Sequence, residues 1–255
     1  MRPAPGRPGR RSRSFLLAAA LTGAGQALLR ATAPGGRGRW ERTNHAGRTV
    51  GLYAGPASAL GTAVAAARVR PAAGLAVLAA GVCGGYDDVA GDDRRGFRAH
   101  LGALRHGEVT SGAVKLFGIS AAGLAAGCVL KERPVDRVLA GVVIAGAAHF
   151  VNLVDVRPGR AAGAVLALGA PGLARGGPGA ELAAVALGGA AAVLPGDLGE
   201  RVMIGDAGAH AVGAALGVAA VACNRRAGLL AHAAAAVTAA VYGDRVSAWA
   251  RAVPL

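Results

Sequence analysis

Residues 205–242 read GDAGAHAVGAALGVAAVACNRRAGLLAHAAAAVTAAVY. Two stretches, 207–223 and 227–242, contain no formally charged residue, and Asn224-Arg225-Arg226 stands between them. A helix on a soluble domain carries polar residues at every turn on its outer face. Here the charges are instead gathered into a break. Stretches of this kind approach the roughly 18 apolar residues needed to cross a hydrocarbon core about 30 Å thick.

The same grammar runs along the whole chain. Nine apolar spans fall at about 15–33, 53–69, 72–86, 113–130, 135–151, 161–174, 179–195, 207–223 and 227–242. Turn-forming residues separate them, among them Pro34-Gly35-Gly36, Arg70-Pro71, Arg133-Pro134, Pro158-Gly159, Gly176-Gly177-Pro178 and Pro195-Gly196. The expected fold is therefore all-α, a polytopic membrane protein of about nine transmembrane helices. Residues 1–14 form an Arg-rich tail, 15–243 a single transmembrane domain, and 244–255 a short C-terminal tail. The Arg-rich start followed by an apolar run from Phe15 also has the look of a signal peptide. With further spans behind it, it reads as a retained first helix.

Composition agrees. Of 255 residues 53% are hydrophobic, yet only four are Phe, three Tyr and two Trp. The apolar character comes from Ala and Gly, which suit close backbone approach between membrane helices. The formal charge is +14, and of 28 basic residues only Lys115 and Lys131 are Lys. The Arg residues flank apolar runs and form no single stripe, which argues for the membrane surface and against nucleic acid. Cys83, Cys128 and Cys223 stand singly inside apolar runs and read as small core residues. Trp40 and Trp249, near span ends, read as interface anchors.

Nine spans place 34–52, 87–112, 152–160, 196–206 and the stretch after Tyr242 on one side. That side holds Arg37, Arg39, Arg42, Arg48, Arg94, Arg95, Arg98, Arg105, Arg157, Arg160, Arg201, Arg245 and Arg251. The other holds Arg70, Lys131, Arg133, Arg137, Arg175, Arg225, Arg226 and the N-terminal Arg cluster. By the positive-inside rule the first set of loops is cytoplasmic, although the N-terminal cluster pulls the other way.

Three acidic segments share the first side: Gly85-Tyr86-Asp87-Asp88, then Asn152-Leu153-Val154-Asp155-Val156-Arg157-Pro158-Gly159-Arg160, then Met203-Ile204-Gly205-Asp206-Ala207-Gly208-Ala209. Adjacent carboxylates at a membrane boundary are costly unless they face water or a cation. Carboxylates meeting from separate loops suit Mg²⁺, which completes its shell with water and substrate phosphates. Lys115 begins a span near the same face and can meet a phosphate. Taken singly, an Asp at a helix start is as well explained as a cap.

In this order the segments resemble the polyprenyl-phosphate N-acetylhexosamine-1-phosphate transferase family, which includes phospho-N-acetylmuramoyl-pentapeptide transferase and the GlcNAc-1-phosphate transferases. The family's pattern is Gly-Phe-x-Asp-Asp, a Lys, Asn-x-x-Asp-Gly-x-Asp-Gly and Met-Gly-Asp-x-Gly-Ser. The resemblance covers the chain from about residue 40 onward, with Arg42 to Arg48 where the family has its first cytoplasmic loop. It implies Mg²⁺-dependent transfer of a sugar-1-phosphate from a UDP-N-acetylhexosamine to a polyprenyl (undecaprenyl) phosphate, releasing UMP, in synthesis of a cell-wall, peptidoglycan or other surface-glycan precursor. It implies Asp87, Asp88 and Asp155 as catalytic and Asp206 with Asp88 as metal ligands. Asn152, Lys115, Arg157, Arg160, Asn44 and Arg48 are the substrate-binding residues it implies. The implied partners are the UDP-sugar, the lipid and the plasma membrane, with a homodimer as a further expectation.

The pattern also departs from the family. Pro158 stands where the second Asp of the family's long motif belongs, and the stretch after Tyr242 has neither the family's His-rich loop nor its tenth helix. Two other readings therefore stay open: a non-catalytic homologue that binds polyprenyl phosphate or scaffolds a cell-wall complex, and a cation transporter using Asp87, Asp88 and Asp206. His149 and His232 read as packed or hydrogen-bonded residues, and so does His210, one turn after Asp206, although it is the histidine to test. The run Asp92-Asp93-Arg94-Arg95 reads as a solvated loop.

Overall fold

The structure, a computed structural model, describes residues 8–91 and 97–253. The expected solvated loop Asp92-Asp93-Arg94-Arg95 and residues 1–7 of the Arg-rich tail lie outside the described residues.

The chain is built almost wholly of α-helices: α1 (Pro8–Thr32), α2 (Ala54–Val69), α3 (Pro71–Ala90), α4 (Phe97–Arg105), α5 (Ser111–Leu130), α6 (Pro134–Val154), α7 (Arg160–Gly169), α8 (Gly177–Leu198), α9 (Gly205–Cys223), α10 (Arg226–Val241) and α11 (Gly243–Ala252). A 3₁₀ turn, Ala170–Ala174, extends α7. Between α1 and α2 a small antiparallel hairpin pairs β1 (Glu41–Thr43) with β2 (Thr49–Gly51). The helix starts follow from sequence. Pro71, Pro134 and Pro178 occupy first-turn positions, where a missing N–H costs nothing. The Thr110 hydroxyl caps α5 by accepting the Ala113 N–H at 3.1 Å.

Among the described residues, six helices are long and apolar enough to cross a membrane: residues 9–32 of α1, and α3, α5, α6, α8 and α9. The expected spans at 53–69, 161–174 and 227–242 are helical but shorter. At 16 residues, α2 and α10 each rise about 24 Å, less than a hydrocarbon core. The helix α1 begins at Pro8, so residues 8–14 of the expected tail are helical, and α11 occupies most of the expected C-terminal tail.

The central helix α9 packs against α2, α3, α6, α7 and α8. Its interior is Ala, Gly and Val, as are most residues of the core around it. Larger apolar side chains lie outside: Leu75 is 68% and Val129 74% exposed. Large residues outward and small ones inward is the arrangement of helices packed in lipid, where burial against water is not the force holding them together. Together with the six long apolar helices, it is compatible with a multi-pass membrane protein.

Candidate functional site

One end of the bundle gathers the hairpin, the C-terminal ends of α3, α6 and α8, and the N-terminal ends of α5, α7 and α9. Asp87 and Asp88 lie in the last turn of α3. Successive helical residues point about 100° apart, so the two carboxylates serve different neighbours. The Asp87 carboxylate accepts from Lys115 Nζ at 2.6 Å. Lys115 also donates to Asp206, so one ammonium from α5 bridges carboxylates from α3 and α9. The three side chains are only 15–26% exposed.

Asp88 does something else. One of its oxygens accepts the Asp206 N–H and the other the Ala207 N–H, both at 2.9 Å. These are among the first N–H groups of α9, which have no partner within their own helix. A carboxylate there also faces the positive end of the helix dipole. The contact depends on Gly84, one turn earlier on α3: its Cα lies so close to the Asp206 carbonyl oxygen that a Cβ would collide with it. Gly205, at φ +59°, starts α9 in the left-handed region and faces the Asp88 carboxylate.

A cavity of about 110 Å³ opens at this end of the bundle, lined by Asn44, Asp155, Arg157, Pro158, Asp197 and Glu200, among others. Asp155 closes the C-terminal end of α6, where its N–H bonds to the Asn152 carbonyl at 3.2 Å. The side chain is partly covered at the surface, and burial pushes its pKa well above the usual carboxylate range. The charges of Asp197, Asp206 and Asp88 add to that shift.

The expected binding residues divide. Arg157 is exposed on the cavity wall. Arg160 turns away and donates to the Val253 carbonyl, tying α7 to the chain after α11. Asn44 and Arg48 are engaged by Glu200: Asn44 Nδ2 donates to it at 2.6 Å, and the Arg48 guanidinium stands 3.2 Å away. The Asn44 side-chain carbonyl accepts the N–H groups of Ala46 and Arg48, which shapes the hairpin turn. The hairpin is further fixed by Gly51, which donates to Arg201 O at 3.2 Å and accepts from the Met203 N–H at 3.0 Å. Arg42 reaches the Asp88 carbonyl at 3.2 Å.

Two carboxylates of this end were not singled out from sequence. Asp197 is 3% exposed and accepts the Gly159 N–H at 2.7 Å. Glu200 holds the hairpin. The signal was present: both fall on the acidic side once the spans are counted, next to the Pro195-Gly196 break.

His210 is fully buried, with Nδ1 at 2.7 Å from the Asp206 carbonyl and its ring edge-on to His149 at 5.4 Å. It packs between α6 and α9 and is hydrogen-bonded as well. His232 is exposed on α10, within 3.4 Å of Asn224 Nδ2, so of the two alternatives it is hydrogen-bonded and not packed. Cys128 is exposed, unlike a core residue, while Cys83 and Cys223 are half-buried. Trp40 stacks on Tyr53 at 5.2 Å and donates to Pro34 O, whereas Trp249 is 64% exposed.

Among the described residues, no group of three or more His, Cys, Asp or Glu side chains is arranged to hold a metal by itself. Two carboxylates, Asp87 and Asp206, do converge on one positive charge. No family model matches the chain, and no curated protein matches it.

Proposed function

We infer that the chain is a phosphoglycosyltransferase of the plasma membrane, moving a sugar-1-phosphate from a UDP-N-acetylhexosamine to a polyprenyl phosphate with the acidic end of the bundle in the cytoplasm. The observation that carries this reading is the meeting of Asp87, Lys115 and Asp206. They come from three helices, at separations of 28 and 91 residues from Lys115, and gather at one end of an apolar bundle. Oxygen donors converging on one positive charge fit Mg²⁺, which uses one or two protein carboxylates and fills its shell from substrate phosphates. Asp206 and Asp87 would hold it; when bound it neutralises the donor pyrophosphate.

The chain's own groups do the remaining work. An oxygen of the lipid phosphate attacks the β-phosphorus of the donor. A new P–O bond forms there while the bond to the UMP oxygen breaks, and UMP leaves with that electron pair. Lys115 balances phosphate charge, and Asp87 orients the incoming lipid phosphate and takes its proton if it carries one. Asp88 contributes by holding the first turn of α9, and with it Asp206, in place. Asp155 and Arg157 on the cavity wall meet the nucleotide-sugar. A site at the bundle end suits one substrate that lies in lipid and one that arrives from water.

The second reading, a non-catalytic homologue, has an observation of its own: Arg160, Asn44 and Arg48 are all spent on internal contacts. The transporter reading loses ground, because no described carboxylate lies in the middle of a long helix, where an ion path needs one.

Exchange of labelled UMP into a panel of UDP-N-acetylhexosamines, with purified protein, undecaprenyl phosphate and Mg²⁺, tests the proposal. Exchange that requires lipid and metal and is lost in Asp206→Asn and Asp87→Asn is the expected result. Folded protein that binds the lipid yet exchanges nothing across the panel would establish the non-catalytic reading instead.

A further inference from the structure

The opposite end of the bundle holds a larger cavity, about 500 Å³, between the α2–α3 turn, the end of α5, the start of α8 and the end of α9. Its walls are Pro71, Ala72, Val129, Leu130, Val221 and neighbours of the same kind, with only two charged residues, Arg70 and Lys131. We propose that this cavity is a binding site for the headgroup of an anionic phospholipid, separate from the acidic end.

Three observations carry it. First, both charges are positive and neither forms an ion pair among the described residues. Two carboxylates at this end are already taken, Asp136 by Arg226 at 2.7 Å and Glu181 by Arg10 at 3.9 Å, while Glu132 lies outside the cavity lining. Second, the cavity sits where four helices long enough to span a membrane begin or end: α3 and α8 point their N-termini at it, α5 and α9 their C-termini. The two positive ends favour an anion. The C-terminal carbonyl charge is answered by Lys131, which follows α5 directly and donates to the Asn224 carbonyl at the end of α9, at 3.1 Å. Two of its protons remain for a ligand, and burial lowers the Lys131 pKa even with the Asp136 charge opposing it, a cost that a bound anion would relieve. Third, the volume lies in the range of small-molecule sites, and its apolar walls at headgroup depth favour a phosphate that brings acyl chains over one arriving from water.

The test uses the full chain in detergent, with native mass spectrometry and thermal unfolding. Its probes are phosphatidylglycerol, phosphatidylcholine and soluble glycerol phosphate. Phosphatidylglycerol should be retained at least about tenfold more strongly than phosphatidylcholine and should raise the unfolding temperature. Arg70→Gln should weaken its binding roughly fivefold, as loss of one interfacial cation does. Arg70 is exposed and unpaired, so this variant keeps its fold, whereas Lys131→Arg should bind as the parent does. Equal retention of the two lipids, or undiminished phosphatidylglycerol binding in Arg70→Gln, overturns the proposal. Full competition by glycerol phosphate at matched concentration overturns the lipid assignment in favour of a soluble phosphate.

Discussion

Replacing Asp88 with Asn separates two roles that a carboxylate pair can hide. If Asp88 were only a ligand or a base, the amide would leave the fold unchanged. In the structure both oxygens accept N–H groups from the first turn of α9. An Asn retains one acceptor oxygen and turns an NH₂ group toward the other donor, so one bond and the charge are lost. A hydrogen bond to a charged group is worth about 1.5–3 kcal/mol, and the half-buried setting of Asp88 favours the lower half of that range, roughly 2 kcal/mol. For a chain of this size that lowers the unfolding temperature by about 4–8 °C. Thermal unfolding in detergent, followed by tryptophan fluorescence or by exposure of Cys83, reads it directly. Asp87→Asn is the internal control: its partner Lys115 keeps Asp206, so unfolding should move less than in Asp88→Asn while UMP exchange is lost. Unfolding of Asp88→Asn at the parent temperature would refute the capping role and restore Asp88 as a free ligand.

Other expectations follow from the same contacts. Gly84→Val should push α3 off the start of α9, costing about 1–3 kcal/mol as overpacking does, with exchange activity falling with the unfolding temperature. Asp155 has a folded pKa raised above its unfolded value, so its contribution is fully present below about pH 4 and is lost as pH rises through the raised folded value. Asp155→Asn should flatten that decline when unfolding is measured across pH, and an unchanged profile would remove Asp155 as its source. Glu200→Gln should speed amide hydrogen exchange across residues 44–50, where Asn44 and Arg48 lose their anchor, with little change in global unfolding. In a chain lacking its native cysteines, Cys at positions 44 and 200 should be labelled from one side of the membrane and Cys at 70 and 131 from the other. Labelling of all four from one side would contradict an odd number of crossings between positions 44 and 70.

How much of this was legible depends on how local the signal is. The helices were visible because charge and turn residues interrupt the apolar runs, and Asp87, Asp88, Lys115 and Asp206 were visible because each sits at such an interruption. Which of two adjacent carboxylates faces Lys115 and which caps α9 was not legible. That choice depends on the rotation of α3 against α9, set by a contact at Gly84 across more than a hundred residues of chain. Pro195 misled for a physical reason: it lies inside the last turns of α8, which continues to Leu198 and so carries Asp197 into the site end. Arg160 misled for another, since side parity places it with the acidic loops while its reach is taken by Val253. Of the nine expected spans, six fall on helices long and apolar enough to cross among the described residues, while Ala and Gly keep α2, α7 and α10 apolar but leave them shorter.

The order in which the chain is synthesised gives the Asp88 contact a further meaning. Its partners on α9 come 118 residues later, and at about 5–20 residues per second they emerge roughly 6–24 s after Asp88 itself. Throughout that interval the end of α3 carries two carboxylates, and the α9 N–H groups that receive Asp88 are still to be made. Lys115 arrives only 28 residues after Asp87, early enough to pair with that carboxylate while α6 to α8 are still to be made. The lysine at the centre of the site is thus made before Asp206, the other carboxylate it bridges, and its loss should be felt during insertion, as lower yield of assembled protein, before any substrate is bound.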